Sequence, residues 1–174
     1  MIFKVYPIII HPERKRELDE NLLLFYTGVQ RFSSDIQADT FAKPVDKTKQ
    51  LLDMLALVDE AEKVLTDKNT SLNEFGKLLD TTWKLKRGTG TKVSNGSIDE
   101  LYDIAIKAGA LGGKLLGAGG GGFLLFYCEK EKQPSLIKAL ESLMIVPFHF
   151  ENEGAQVLYY APTEYSPRKE ILLK

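Results

Sequence analysis

The stretch AGALGGKLLGAGGGGFLLFYC, Ala108 to Cys128, gathers eight of the chain's fourteen glycines into fourteen residues, between a helically patterned segment and an apolar run. Glycine lets the backbone enter φ > 0 and lets another group approach the bare main chain, so glycines this dense predict a tightly folded loop over Gly112 to Gly122 with exposed amides. Such a loop serves phosphate binding or close packing. Phe123 to Cys128 reads as the strand that follows it. Gly117, Gly119 and Gly122 fit G-x-G-x-x-G, but the dinucleotide fingerprint follows a strand and opens a helix, the reverse of this order. A Walker A loop needs glycine six residues before its lysine and Ser/Thr after it, whereas Lys114 has Ala108 and Leu115 in those places.

Working outward, Ser97-Ile98-Asp99-Glu100 is a capping box, and Ile98, Leu101, Ala105 and Ala108 form the buried face of the helix that enters the glycines. Ser71-Leu72-Asn73-Glu74 is a second box, opening a helix with Leu72, Phe75, Leu79 and Trp83 inward. From Asp46, Leu51, Leu55, Val58, Ala61 and Leu65 recur at spacings of four and three, a stripe predicted to pack antiparallel on that helix across the Thr66 to Thr70 turn. Gln30 to Lys43 is predicted as a helix that ends or kinks at Pro44. Nearer the N-terminus, Ile2 to Ile10 reads as a strand, Glu13 to Glu20 as a short helix, and Leu22 to Tyr26 as a central strand buried on both sides. Beyond the glycines, Pro134 to Leu143 reads as a helix. Val146 to Glu151 and Ala155 to Tyr160 read as a hairpin turning at Asn152 to Gly154, and the tail after Pro162 as loose. The sum is an α+β protein, with helices packed on a mostly antiparallel sheet.

The 174 residues suit one domain with a sizeable core. A net charge of −1 gives no field to gather nucleic acid or an anionic membrane surface. Cys128 is the single cysteine, so no internal disulfide forms; its apolar strand predicts a buried, inert thiol and a reducing compartment. MIFKVYPIII lacks a basic n-region and cleavage site, and no apolar run reaches about 18 residues, which predicts a cytoplasmic protein.

Three stretches are candidates for chemistry. Exposed amides of the glycine loop suit phosphate, with Lys114 as a point charge beside them; the plainer alternative is a sharp helix-to-strand turn with a solvated lysine. KLKRGTGTKVS, Lys84 to Ser94, offers Lys84, Lys86, Arg87, Lys92 and hydroxyls, the mixed donor set a sugar phosphate needs, or else a solvated helix end whose cations favour the dipole. TGVQRFSS, Thr27 to Ser34, holds Arg31 and Ser33, where Arg31 either clamps an anion or pairs with a carboxylate. His11 and His149 have no second ligand at metal spacing, so no metal site is predicted. Asp59/Glu60 and Asp99/Glu100 have no partnering base and read as solvated faces.

GALGGKLLGAGGGGF resembles the third, C-terminal glycine-rich motif of the GHMP small-molecule kinases. LLLFYTGVQRFS (Leu22 to Ser33), TWKLKRGTGTKVSNGSIDELYDIAIKAGA (Thr82 to Ala110) and PFHFENEGAQV (Pro147 to Val157) are similar to the D-glycero-D-manno-heptose 7-phosphate kinase branch, so the resemblance runs from about Val5 to Tyr160. It implies a ferredoxin-like C-terminal domain over residues 1–174, with strands in 1–30 joining a missing N-terminal half and 162–174 as a loose tail. It implies an ATP-dependent sugar kinase that phosphorylates the anomeric hydroxyl of a sugar phosphate. In that family the P-x-x-x-G-L-x-S-S phosphate loop, the magnesium ligands and the catalytic aspartate lie in the N-terminal half, and none of them is found here. ATP and Mg2+ are therefore expected to act on this chain only with that half as partner, and no catalytic residue is expected on it. The implied ATP-proximal residues are Gly112, Gly113, Lys114, Gly117, Gly119, Gly120, Gly121 and Gly122; the implied substrate contacts are Arg31, Ser33, Lys84, Arg87, Lys92 and Ser94. Alone, the chain is expected to be inactive and to self-associate through the face left open. The alternative is a non-catalytic binding or dimerisation module that kept the fold.

Overall fold

The apolar run LLLFY forms strand β1 (Leu22–Tyr26), and in the computed structural model it lies in the interior of the sheet. The structure describes residues 6–29, 48–90, 93–117, 120–153 and 156–157. With β2 (Gly112–Leu115), β3 (Phe123–Tyr127) and β4 (Met144–Ile145), β1 makes a four-stranded antiparallel sheet in the order β2-β3-β1-β4. Leu22 stands opposite Tyr127 and Tyr26 opposite Phe123. Among the described residues, five α-helices accompany the sheet: α1 (Pro12–Glu20), α2 (Thr48–Thr66), α3 (Asn73–Arg87), α4 (Gly96–Lys107) and α5 (Gln133–Ala139). Strand order and antiparallel pairing are those of a ferredoxin-like domain, with α2 and α3 inserted before α4.

Successive residues of a strand point to opposite faces, and β1 and β3 use both. Leu23, Phe25, Leu124 and Phe126 join Trp83, Ile98, Tyr102, Leu136 and Leu140 in one apolar cluster. Leu22, Leu125 and Tyr127 join Leu18, Leu72, Phe75, Leu79 and Phe148 in a second. Helix α3 and its N-cap Leu72 feed both, which is why the expected inner residues Leu72, Phe75, Leu79 and Trp83 all find apolar company. Rings stack through the first cluster, Trp83 on Tyr102 at 6.2 Å and Tyr102 on Phe126 at 5.7 Å between centroids.

Several local expectations are corrected. Gly112 to Leu115 is a strand rather than loop, because the two glycines leave room for what packs on them. A Cβ on Gly112 would meet the Gly76 carbonyl and stand 2.7 Å from the Asp80 nitrogen, both in α3, and one on Gly113 would stand 2.5 Å from the Leu125 carbonyl. The α2 stripe is displaced: Leu51, Leu55 and Val58 are exposed (46%, 63% and 58%), while Met54, Leu57, Ala61 and Val64 turn inward. The helix carries two apolar stripes, and its rotation is fixed by Gln50 donating to the Leu85 carbonyl at 2.8 Å and Arg14 donating to the carbonyls of Val64, Leu65 and Thr70.

Helix α4 starts at Gly96 and is capped by Asn95, whose side chain accepts from the Ile98 amide at 3.1 Å, so the Ser97 box does not form. At α3 the Ser71 hydroxyl accepts from the Asn73 amide at 3.2 Å, but Glu74 turns away to Lys77 instead of closing a reciprocal box. Tyr6 to Ile10 makes no strand: β2 and β4 are the edges, neither takes it as a neighbour, and Ile9 is 85% exposed. The helix after Pro134 stops at Ala139. Val146 to Glu151 is not a strand either, since Pro147 has no N–H to give; the pairing falls on Met144–Ile145, extended by the Val146 amide donating to the Leu24 carbonyl at 2.8 Å. The strand expected at Ile2 to Val5, the helix at Gln30 to Lys43, the second arm of the hairpin beyond Val157 and the tail after Pro162 lie outside the described residues.

Candidate functional site: the glycine corner and its basic flank

Between β2 and β3 the chain turns in Leu116 to Gly122. The Leu116 amide donates to the Phe123 carbonyl at 2.8 Å, closing the base of the corner. Three glycines hold left-handed backbone, Gly117 at φ 78°, Gly120 at 73° and Gly122 at 100°, where an L side chain is strained. The corner is tied down on two sides. Towards β1, the Gly122 amide donates to the Val29 carbonyl at 2.8 Å and to Thr27 Oγ1 at 3.1 Å, while the Thr27 amide donates back to the Gly122 carbonyl at 2.9 Å. Towards α4, the Gly120 amide donates to the Val93 carbonyl at 3.0 Å, and Asn95 Nδ2 donates to the Gly120 carbonyl at 3.3 Å. Two amides of the expected phosphate cradle are thus spent on the fold. At Gly121 a Cβ would stand 2.6 Å from the Val29 carbonyl, whereas at Gly117 it would meet nothing within 4 Å.

The last turn of α3 brings the basic segment to this corner. Lys84 Nζ pairs with Asp80 at 2.6 Å, and the other Asp80 oxygen accepts from the Tyr102 hydroxyl at 2.8 Å. Arg87 Nη1 pairs with Asp99 at 2.8 Å, the Ser94 hydroxyl donates to the same oxygen at 2.7 Å, and the guanidinium lies 5.9 Å from the Tyr102 ring centre. Asp99, expected to be a solvated acid, is therefore the clamp joining the end of α3 to the start of α4. Burial, then the Asp80 bond, pushes the Tyr102 hydroxyl well above its ordinary range.

Of the sequence-derived substrate contacts, Lys84, Arg87 and Ser94 are engaged in these carboxylate networks, while Arg31, Ser33 and Lys92, like the expected ATP-proximal Gly119, lie outside the described residues. Lys86 behaves differently. Half-buried, it donates to the Gly117 carbonyl at 2.6 Å, and desolvation followed by the charge of Lys114 lowers its pKa. Gly112 and Gly113, inside β2, serve packing. Asn95 and Asp80 were missed in the sequence, and Thr27, which opens a candidate stretch, was given no role of its own; Asn95, three residues before Ile98 at the head of an apolar-periodic run, carried a readable cap signal that the neighbouring Ser97 box masked.

Magnesium wants oxygen ligands, chiefly carboxylates and water. The carboxylates beside the corner, Asp80 and Asp99, are already held by Lys84, Tyr102, Arg87 and Ser94, so the described residues do not fit a magnesium site. Cys128 is fully buried and its thiol is pushed up to about 11, chiefly by burial. His149 Nδ1 lies 2.6 Å from Asp19, and His11 lies 3.9 Å from Glu13, both on exposed surface away from the corner. No described helix is long and apolar enough to cross a membrane.

Comparison with known proteins agrees with this architecture. The family described as GHMP kinases C terminal matches residues 57–145, which contain α3, α4, the glycine corner and β3. The chain is 31% identical over 157 residues to D-glycero-alpha-D-manno-heptose 7-phosphate kinase of Campylobacter jejuni, covering 86% of this chain and 46% of that protein. It is 30% identical over 134 residues to L-fucokinase/L-fucose-1-P guanylyltransferase of Bacteroides fragilis, covering 74% of this chain and 13% of the other. The crystal structure of Methanococcus jannaschii mevalonate kinase superposes with a TM-score of 0.64 at 27% identity, covering 79% of this chain and 42% of that one. The chain thus spans less than half the length of these relatives. With the glycine corner in place between β2 and β3 and the family matched over half of the sequence, the chain belongs to the GHMP kinases, whose C-terminal domain it carries.

Proposed function

We propose that this chain is the C-terminal part of an ATP-dependent sugar kinase that transfers the γ-phosphoryl group to the anomeric hydroxyl of a sugar phosphate such as D-glycero-D-manno-heptose 7-phosphate. The observation that carries the reading is the glycine corner, immobilised between Thr27 and Asn95 and flanked by lysines, in a chain 31% identical over 157 residues to a heptose 7-phosphate kinase. Phosphoryl transfer asks a protein for positioning and for charge stabilisation that is already oriented. Bonds that fix Gly120 and Gly122 supply orientation; Lys86 and Lys114 supply charge. ATP supplies the phosphoryl group when bound, and the residues proposed to lie near it are Lys114, Gly117 and Gly119 to Gly122. Sugar contacts are proposed at Arg31, Ser33 and Lys92, with Lys84, Arg87 and Ser94 shaping the wall between α3 and α4.

The partner that completes the site is proposed to be an N-terminal kinase half bearing the base and the magnesium ligands. Two features support it. The chain covers 46% of the Campylobacter relative, and Tyr6, Ile8 and Ile9, in one short run, are 74%, 50% and 85% exposed. Apolar side chains exposed together in one run mark contact surfaces.

The test is reconstitution. The 174-residue chain is co-expressed with the N-terminal half of the Campylobacter heptose kinase, and ADP release is followed with heptose 7-phosphate. Expected turnover is on the order of 1 to 100 per second for the pair and none for the chain alone. An assembled pair that phosphorylates no sugar phosphate removes the kinase reading, and turnover by the chain alone removes the need for a partner.

A further inference from the structure

The two edges of the sheet are not alike. Strand β2 carries Lys114, and a charge in an edge strand discourages further pairing. Strand β4 carries no charge: Met144 and Ile145 are apolar and are 66% and 42% exposed. Its backbone is open as well. Val146 donates to the Leu24 carbonyl, and Ile145 stands opposite Phe25. Inward and outward bonding alternate along an antiparallel strand, so Ile145 turns its N–H and C=O away from β1, and no described group bonds to either. Beside this edge, between β4 and the end of α5, runs a groove of about 630 Å³, enough to seat several side chains. Buried Phe25 and Leu140 line it together with half-exposed Ile137 and Ile145, and Lys138 and Glu141 complete it. Neither of these two charges has an ion-pair partner among the described residues.

We infer that this edge is the contact between two copies of the chain, related by a two-fold axis at Ile145. Antiparallel pairing of β4 with β4 of a second copy sets Ile145 opposite Ile145, where the two residues exchange both N–H···O=C bonds. The axis stands perpendicular to the joined sheet, so both α5 helices lie on one face and run antiparallel across it. Lys138 of each copy then meets Glu141 of the other. This reciprocity selects a second copy as the occupant, because the patch is complementary in charge to itself. Exposed ion pairs contribute little strength; they set the register, while burial of Ile137, Met144 and Ile145 drives association. With Lys114 guarding the other edge, pairing closes at two copies instead of growing into a fibre. The surface shares no residue with the glycine corner or with the Tyr6 to Ile9 run, and the inference does not rest on the kinase reading.

The test is sedimentation velocity of the 174-residue chain over a concentration series, which is expected to show a monomer–dimer equilibrium. Lys138→Glu and Glu141→Lys should each weaken dimerisation at least tenfold, and the double variant, which restores complementarity with the signs exchanged, should recover it. Both side chains are exposed, so the fold tolerates these changes. Amide hydrogen exchange gives a second readout. The Ile145 N–H should exchange freely in dilute solution and become protected as the dimer fills, while the Val146 N–H, already bonded to Leu24, should stay protected throughout. A chain that remains monomeric at millimolar concentration, a dimer indifferent to both reversals, or an Ile145 amide whose exchange ignores concentration overturns the inference. Loss of the dimer when an N-terminal kinase half is added assigns the edge to that half and overturns it too. None of these measurements reads phosphoryl transfer, so failure of the kinase reading leaves the dimer standing and the two failures are distinguishable.

Discussion

A glycine is replaceable or not according to what its missing Cβ would meet. Gly120→Ala forces an L residue to φ 73° and should cost about 1–2 kcal/mol in urea unfolding. Gly112→Ala meets the backbone of α3, which cannot step aside, and should cost about 1–3 kcal/mol. Gly96→Ala, at the open start of α4, meets nothing within 4 Å and should be neutral or stabilising by up to about 1 kcal/mol. In the reconstituted enzyme the same Gly120→Ala change separates two roles: a lower Tm with unaltered kcat/KM would reduce the corner to a structural turn, whereas a loss of kcat/KM beyond the loss of fold supports the phosphate role. Cys128 supplies a pH signature. Its thiol is raised from an ordinary 9.0 to about 11 in the folded chain, so the unfolded chain loses that proton first as pH climbs. The stabilisation is complete below about pH 9 and is lost towards pH 11, with Tyr102 shifted in the same direction. Thermal melts should fall across that window, and Cys128→Ala should flatten the fall.

At the scale of elements, what was legible followed from patterns with one solution. LLLFY had to be an inner strand, and the helix entering the glycines had only one apolar face. Helix α2 had two, and a 3.6-residue period cannot choose between stripes one position apart; contacts of Gln50 and Arg14, from distant parts of the chain, made the choice. Leu55→Lys should therefore change stability by less than about 0.5 kcal/mol, while Trp83→Ala, at 0% exposure, should cost about 3–5 kcal/mol. Equilibrium unfolding of the two variants checks this directly, and a large loss at Leu55 would show the other stripe to be the buried one. The glycine run was read as one loop because composition does not distinguish a glycine that turns from one that lets a helix approach. Gly112 and Gly113 are of the second kind. The basic segment was visible, but which cations were neutralised depended on Asp80 and Asp99, whose partners no local spacing reveals.

At the scale of the whole molecule, the sheet joins segments far apart in the chain. Asn21 bonds to the Tyr127 hydroxyl across 106 positions, and all of β1 pairs with β3 in that same long-range register. Pairing at such separation must close a long loop before any contact rewards it, which slows folding relative to local structure. During synthesis β1 leaves the ribosome well before β3 exists, so LLLFY, a short uncharged apolar segment with an unpaired edge, waits without its partner. Such segments are where chains stick to one another. A chain ending at Gly122 should consequently aggregate and bind holdase chaperones, and adding residues to Tyr127 should release it; a soluble, monomeric 1–122 product would count against this. The interior place of β1 thus makes completion of β3 the moment at which the nascent chain ceases to need protection.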